Sequence, residues 1–165
     1  MPAGAKHLYV LRHAKSSWDD PGLEDRERPL NGRGRKAAQQ IGEHLRKEGI
    51  EPELVLCSSA RRTQETLERV DPAGEHVIED DLYGASAGDW IERLKRVTPE
   101  TGSAMVIGHN PSLQMLVVAL GGPDPVVRDK FPTGALATLT FDCAWSELQP
   151  GAAALASLVR PKDLP

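Results

Sequence analysis

The stretch His7–Ser17, HLYVLRHAKSS, joins an apolar run to an abruptly polar one. Leu8-Tyr9-Val10-Leu11 suits a short strand buried in a pleated core, and it stops at Arg12-His13-Ala14. A strand that ends in Arg-His brings a fixed cation and an imidazole to one rim of a sheet. Phosphoryl chemistry needs that pair: a nitrogen that can attack or carry a proton, beside a charge that holds phosphate oxygens. A dipeptide at a strand end is equally well two solvated polar residues, so the reading turns on what else reaches the same rim.

After this stretch a long polar connection, Ala14 to Leu30, leads to a helix with Asn31 as N-cap that runs to about Lys47 and stops at Gly49. Ala37, Ala38, Ile41 and Leu45 share one face of it. A connection of that length inside a domain is often functional, although Lys15, Ser16 and Ser17 read first as solvated loop residues. The second strand, Leu54–Cys57, runs into Ser58-Ser59-Ala60-Arg61-Arg62 and a helix that buries Ala60, Thr63, Leu67 and Val70 before Asp71-Pro72. Arginine in the first turn of a helix opposes the macrodipole unless an anion is bound there. A third strand near His76–Glu79 is followed by Asp80-Asp81-Leu82-Tyr83, then by a Ser86/Asp89 capping box and a helix burying Trp90, Ile91, Leu94 and Val97 up to Thr98-Pro99. The fourth strand, Ala104–Ile107, ends in Gly108-His109-Asn110-Pro111, with Asn110 as N-cap and Pro111 at the first helical position. Ala135–Phe141 and Ala153–Val159 supply a final antiparallel hairpin. His44 and His76 read as surface or strand-start residues.

Strand–helix alternation from 7 to 120 gives an α/β fold: a three-layer, open, mostly parallel sheet with helices on both faces, closed by the C-terminal hairpin. Ligands bind such sheets beyond the carboxyl ends of the strands. Arg12-His13, the Ser58–Arg62 turn and Gly108-His109 each lie just past one strand. Topology alone thus gathers two histidines and at least two arginines.

At 165 residues the chain reads as one domain, 1–165, with charged residues at 27%, hydrophobic ones at 39% and a net charge of −4. Without a long basic run, nucleic acid is not the expected partner. A phosphate site in this mildly acidic protein must be a local cluster of cations. No stretch approaches a membrane span, and the N-terminus MPAGAKH lacks a signal-like apolar core, so the expectation is a cytoplasmic monomer. Cys57 and Cys143 have no metal-ligand spacing and read as inert thiols.

Arg12-His13-Ala14 resembles the RHG/RHA signature of the histidine phosphatase superfamily. Cys57-Ser58 through Arg62-Thr63-Gln64-Glu65-Thr66 resembles its second motif and Gly108-His109-Asn110-Pro111 its second-histidine motif; small size, Arg28-Pro29-Leu30 and the ending Arg160–Leu164 look most like the SixA-type phosphohistidine phosphatase branch. Ala14 replaces the glycine of the commonest signature, as in other members of that branch. Arg61 and Arg62 compete for the pocket; the pattern of Ser, three residues, Arg, then Thr, any residue, Glu, Thr fits Arg62, and Arg61 lies about 100° around the helix. The resemblance implies a phosphoglycerate mutase-like fold and a double displacement without metal or other cofactor. His13 attacks phosphorus and becomes phosphohistidine, water cleaves it, and Arg12, Arg62 and His109 hold the phosphate oxygens. A nucleophilic histidine must be neutral, which Arg12 and Arg62 favour, and its other ring nitrogen must be tied, most simply to a backbone carbonyl.

Family members commonly place a proton-donating carboxylate after the third strand. Asp81 is the best-placed residue, with Asp80 and Glu79 as competitors and no acid at all as a further option, because a protonated imidazole already leaves well. The substrate expected is a phosphorylated protein histidine or a small phosphate ester. A mutase would share the pocket, but the chain lacks the long insertions after the second helix that could form a closed lid. A non-catalytic phosphate- or phosphoprotein-binding module would have no need of an attacking imidazole.

Overall fold

The computed structural model describes residues 5–165; of the segment read for a signal-like core, residues 1–4 lie outside the described residues. Six strands form one sheet in the order β3-β2-β4-β1-β5-β6, with β1 Lys6–Arg12, β2 Leu54–Ser58, β3 Glu75–Glu79, β4 Ser103–Gly108, β5 Leu136–Phe141 and β6 Ala154–Val159. The β1–β4, β4–β2 and β2–β3 pairs are parallel, while β5 runs antiparallel to both β1 and β6. The architecture is thus the mostly parallel α/β sheet with a terminal antiparallel hairpin that the alternation implies, and it matches the phosphoglycerate mutase-like fold.

Period-two alternation assigns the faces. Leu8 and Val10 of β1, Val106 of β4 and Leu56 of β2 pack with Trp90, Leu94, Leu113 and Leu116 from α3 (Ala87–Leu94) and α4 (Ser112–Gly121). Tyr9, Leu11, Met105, Ile107, Val55 and Cys57 face Ala38, Ile41, Leu45, Leu67 and Val70 from α1 (Gly32–Glu48) and α2 (Arg61–Val70). Because both faces are covered, β1 carries no charged side chain between Leu8 and Leu11. Cys57, buried, has its thiol pushed up to about 12 by that burial; Cys143 is also free.

Local chemistry sets the helix ends. Asn31 accepts a hydrogen bond from Gly34 N at 2.8 Å and Gly49 closes α1 in the left-handed conformation, φ 66°. Ser86 and Asp89 form the reciprocal capping box of α3. Three expectations shift. The third helix ends at Leu94, with Val97 in a following turn rather than in the helix. The fourth starts at Ser112, so Pro111 stands at the cap; Asn110 Oδ1 still accepts from Gln114 N at 3.3 Å. A short α5, Pro125–Asp129, capped by Asp124, follows Gly121-Gly122 where no periodic pattern announced it. Among the described residues no helix is long and apolar enough to cross a membrane.

Candidate active site

Parallel pairing puts the carboxyl ends of β1 and β4 side by side, Arg12 opposite Gly108, and His13 N–H donates to Gly108 O at 3.0 Å. His13 and His109 therefore leave adjacent strands at the same level, with ring centroids 5.4 Å apart. The backbone under His13 is held from several sides. Gly134 N–H reaches the carbonyls of Arg12 and His13 at 3.1 and 3.0 Å, from a φ of 76° that suits glycine. Ala14 N–H donates to Thr66 Oγ1 at 3.0 Å, and that hydroxyl donates to Arg62 O at 2.7 Å, tying the β1 rim to α2. Gly34 lets the start of α1 press on this loop: a Cβ there would lie 2.0 Å from Lys15 O.

His13 is 6% exposed, and its Nδ1 lies 2.6 Å from the Ala14 carbonyl. A carbonyl only accepts, so Nδ1 carries the proton and Nε2 keeps its lone pair. Burial, joined by the positive charges of His109, Arg62 and Arg12, holds the imidazole down to about 3, against an opposing contribution from the Ala14 carbonyl. His109 is held down to about 4, by burial first and then by Arg62. Its Nε2 lies 2.8 Å from Ser58 Oγ, at the end of β2, and Tyr83 meets its ring edge-on at 5.6 Å.

Arg12 Nη1 donates to Phe131 O at 3.1 Å, a carbonyl that also accepts from Asn110 Nδ2 at 3.0 Å. Arg62 is 6% exposed and donates to the Asp25 carbonyl at 2.7 Å and to Asp25 Oδ2 at 2.9 Å. Arg61 is exposed and pairs with Glu65 at 2.9 Å. Three buried polar atoms lack any hydrogen-bond partner among the described residues: Arg12 Nε, Arg62 Nε and His109 Nδ1.

The structure thus brings together Arg12, His13, Arg62 and His109. Asp81 takes no part in these hydrogen bonds; it is exposed and lines a separate cleft with Glu79, Asp89 and Arg93. Asp80 pairs with Arg26, which also bonds Ser59 Oγ, and Glu79 pairs with Arg93 at 2.7 Å. The carboxylate that does stand at the site is Asp25, from the Ala14–Leu30 connection. It accepts from Arg62, from Arg28 Nε at 3.2 Å and from Tyr83 Oη at 2.6 Å, and the Tyr83 hydrogen bond leads the causes that lower its carboxyl to about 2. Arg28 is buried, bonded to Ser16 Oγ at 2.8 Å and stacked 3.5 Å from the Trp18 ring. The connection is a built wall, with a Ser16–Leu30 bridge and a 3-10 turn at Asp25–Glu27. The sequence motifs already contained Ser58, in the second motif, and Arg28, in Arg28-Pro29-Leu30, without assigning a role to either; Asp25 and Tyr83 were missed as site residues, and the length of the connection was the available signal for Asp25.

The histidine phosphatase superfamily (branch 1) model matches residues 8–112. An uncharacterised Mycobacterium tuberculosis protein is 35% identical over 159 residues, covering 92% of this chain and 100% of that one. The phosphohistidine phosphatase SixA of Escherichia coli is 29% identical, covering 82% of this chain and 85% of its own. A solved structure from Nakamurella multipartitia, of a protein proposed to be a phosphohistidine phosphatase SixA, superimposes with a TM-score of 0.87 at 26% identity and covers 98% of this chain and 99% of that one. With its matched segment running from the first strand to the start of α4, the chain belongs to the histidine phosphatase superfamily, branch 1.

Proposed function

We propose that the chain is a phosphatase, acting as one domain, that transfers a phosphoryl group from a phosphohistidine or phosphomonoester substrate to His13 Nε2 and then to water. The observation that carries this reading is the His13–Ala14 hydrogen bond of 2.6 Å, in a setting that keeps the imidazole neutral. It leaves one lone pair, on a fixed ring, among cations. In the first step Nε2 attacks phosphorus as the bond to the leaving atom breaks; in the second, water attacks phosphorus, the electron pair of the P–N bond returns to Nε2, and the proton of the attacking water passes to bulk solvent. Arg12, Arg62 and His109 are assigned to the oxygens that gain charge between the two. A buried polar atom left unpaired costs about 1–3 kcal/mol, and an oxyanion seated among these side chains is the natural partner for Arg12 Nε, Arg62 Nε and His109 Nδ1. The guanidinium groups supply the positive charge that a divalent cation supplies in other phosphoryl transfers.

The proposal takes the leaving-group proton from the substrate: a phosphohistidine imidazole arrives protonated at mildly acidic pH and needs no acid. Asp81, exposed and in another cleft, is then left without a step. The resemblance to SixA proteins favours phosphohistidine over an alkyl ester as the physiological bond. The test is hydrolysis of nitrophenyl phosphate and of a phosphohistidine peptide by purified protein, with EDTA and with vanadate. Turnover that survives EDTA and is blocked by vanadate supports the reading; turnover restored only by an added divalent metal contradicts it.

A further inference from the structure

The rim that carries His13 extends into a cleft of about 690 Å³ between α1, the segment before β5 and the chain after β6. Six cationic side chains line it: Lys15, Arg33, Lys36, Lys130, Arg160 and Lys162. No acidic side chain is part of that lining, in a protein whose net charge is −4. Arg160 is neutralised by Asp163 at 3.0 Å; the other five make no ion pair among the described residues. The opposite side of the same rim carries Glu79 at the end of β3, paired with Arg93, then Asp80, paired with Arg26, and Asp81. The β3 side of the rim thus balances its acids with arginines, whereas the β1–β5–β6 side gathers five cations with no ion-pair partner among the described residues.

The cleft is continuous with the catalytic backbone. Lys15 follows the carbonyl that fixes His13, and Pro132 follows the carbonyl that holds Arg12. Pro161 packs against Gly134, where a Cβ would lie 2.7 Å from Pro161 Cγ, and Gly134 N–H supports the Arg12 and His13 carbonyls. The lining between the cations is largely apolar, from Ala37, Pro132, Pro161 and Leu164, with Gln40 and Thr133 as its neutral polar members. Compact polyphosphates are gripped by convergent forks of donors. Lysines spaced around an apolar floor suit an extended chain with alternating acidic and apolar side chains.

We infer that this cleft docks an acidic segment of the phosphoprotein substrate beside the phosphorylated histidine, with Lys36, Lys130 and Lys162 as its principal cations. The inference rests on the phosphohistidine reading above and adds to it the charge of the partner surface.

The probes are two short phosphohistidine peptides, one flanked by alternating Glu and Leu and one with Gln in place of each Glu. The parent protein should process the Glu peptide with a kcat/KM about tenfold above that for the Gln peptide, mostly through KM and fading at high salt. The triple variant Lys36→Gln, Lys130→Gln, Lys162→Gln should lose that preference, and the triple Lys→Arg variant should keep it. Nitrophenyl phosphate turnover should stay within about twofold in all three, since these lysines touch no reacting atom. Equal use of the two peptides by the parent overturns the inference whatever the variants do, and so does a preference that survives the triple glutamine variant. Competition by inorganic tripolyphosphate that depends on the three lysines, with no preference between peptides, would make the cleft a small-polyanion site and also overturn it. If neither peptide is dephosphorylated while nitrophenyl phosphate is, the phosphohistidine reading fails. Fluorescence anisotropy of the labelled, unphosphorylated Glu peptide then decides the cleft: binding lost in the glutamine variant sustains the basic dock, and no binding to the parent overturns it.

Discussion

The two arginines at the start of α2 show how one helical step separates a buried position at the proposed site from a solvated one. Arg62 is buried against Asp25 and Arg61 is exposed against Glu65. Arg62→Ala should lower kcat/KM on the order of 10²-fold or more, the cost of a lost transition-state cation, while Arg61→Ala should change it far less; the reverse ranking in steady-state assays would move the pocket to Arg61. Asp81→Asn tests the acid. If a carboxylate gave the proton, alkyl phosphates would suffer much more than nitrophenyl phosphate, by part of the ~10²–10⁴-fold typical of general acids. The expected result is near-parent rates on alkyl phosphates, nitrophenyl phosphate and phosphohistidine alike. A nuclear magnetic resonance titration reads the His13 ring directly. The depressed values, about 3 for His13 and about 4 for His109, predict that neither ring takes up a proton between pH 8 and pH 5 in the unliganded protein. A midpoint near 6.5 for His13 would remove the electrostatic basis of the reading.

At the scale of elements, the site depends on close approaches that only small residues permit. Gly34 is the clearest case, since its position against Lys15 O leaves no room for a methyl group. Gly34→Ala should cost about 1–3 kcal/mol by overpacking, read as a lower urea midpoint, and should slow turnover as well because the displaced loop carries the Ala14 carbonyl. Loss of stability with unchanged turnover would uncouple α1 from the site. The regular elements were legible in the sequence because their signals are local: β1 as a continuous apolar run, α1 from Asn31 to Gly49, the Ser86/Asp89 capping box. The three strand ends that gather Arg12, His13, Arg62 and His109 followed from the parallel topology those elements imply. Asp25 and Tyr83 were not legible, because they meet across the rim through one hydrogen bond between segments 58 residues apart. Asp81 drew attention by its place after β3, but a 3-10 turn spans Asp80–Leu82, and Asp81 lines the cleft with Arg93.

For the whole molecule, the same groups link stability to pH. His13 and His109 titrate well below their ordinary 6.5 in the folded state, and Asp25 below 3.8. Below about 6.5 the unfolded chain therefore binds more protons through the two histidines than the folded one, so stability rises with pH there. The histidine contribution is fully present above 6.5 and is lost as pH falls toward the folded values; the Asp25 contribution is lost below 3.8. Thermal unfolding should show Tm falling between pH 7.5 and pH 5, and less steeply in a His13→Ala variant. An oxyanion that binds the native site should raise Tm in proportion to the logarithm of its concentration above Kd. Vanadate raising Tm in the parent but equally in Arg62→Ala would place its binding elsewhere.

His13 Nε2 is the atom proposed to take the phosphoryl group, and the most direct measurement is to trap it there. Protein mixed with a phosphohistidine peptide or nitrophenyl phosphate is quenched in base, where phosphohistidine survives, and digested for mass spectrometry; phosphorus resonances of the denatured phosphoprotein distinguish the two ring nitrogens. The prediction is one phosphate on the peptide containing His13, attached at Nε2 because Nδ1 is held by the Ala14 carbonyl, and none in His13→Ala. Phosphate on His109 or Ser58, attachment at Nδ1, or undiminished turnover by His13→Ala would contradict it.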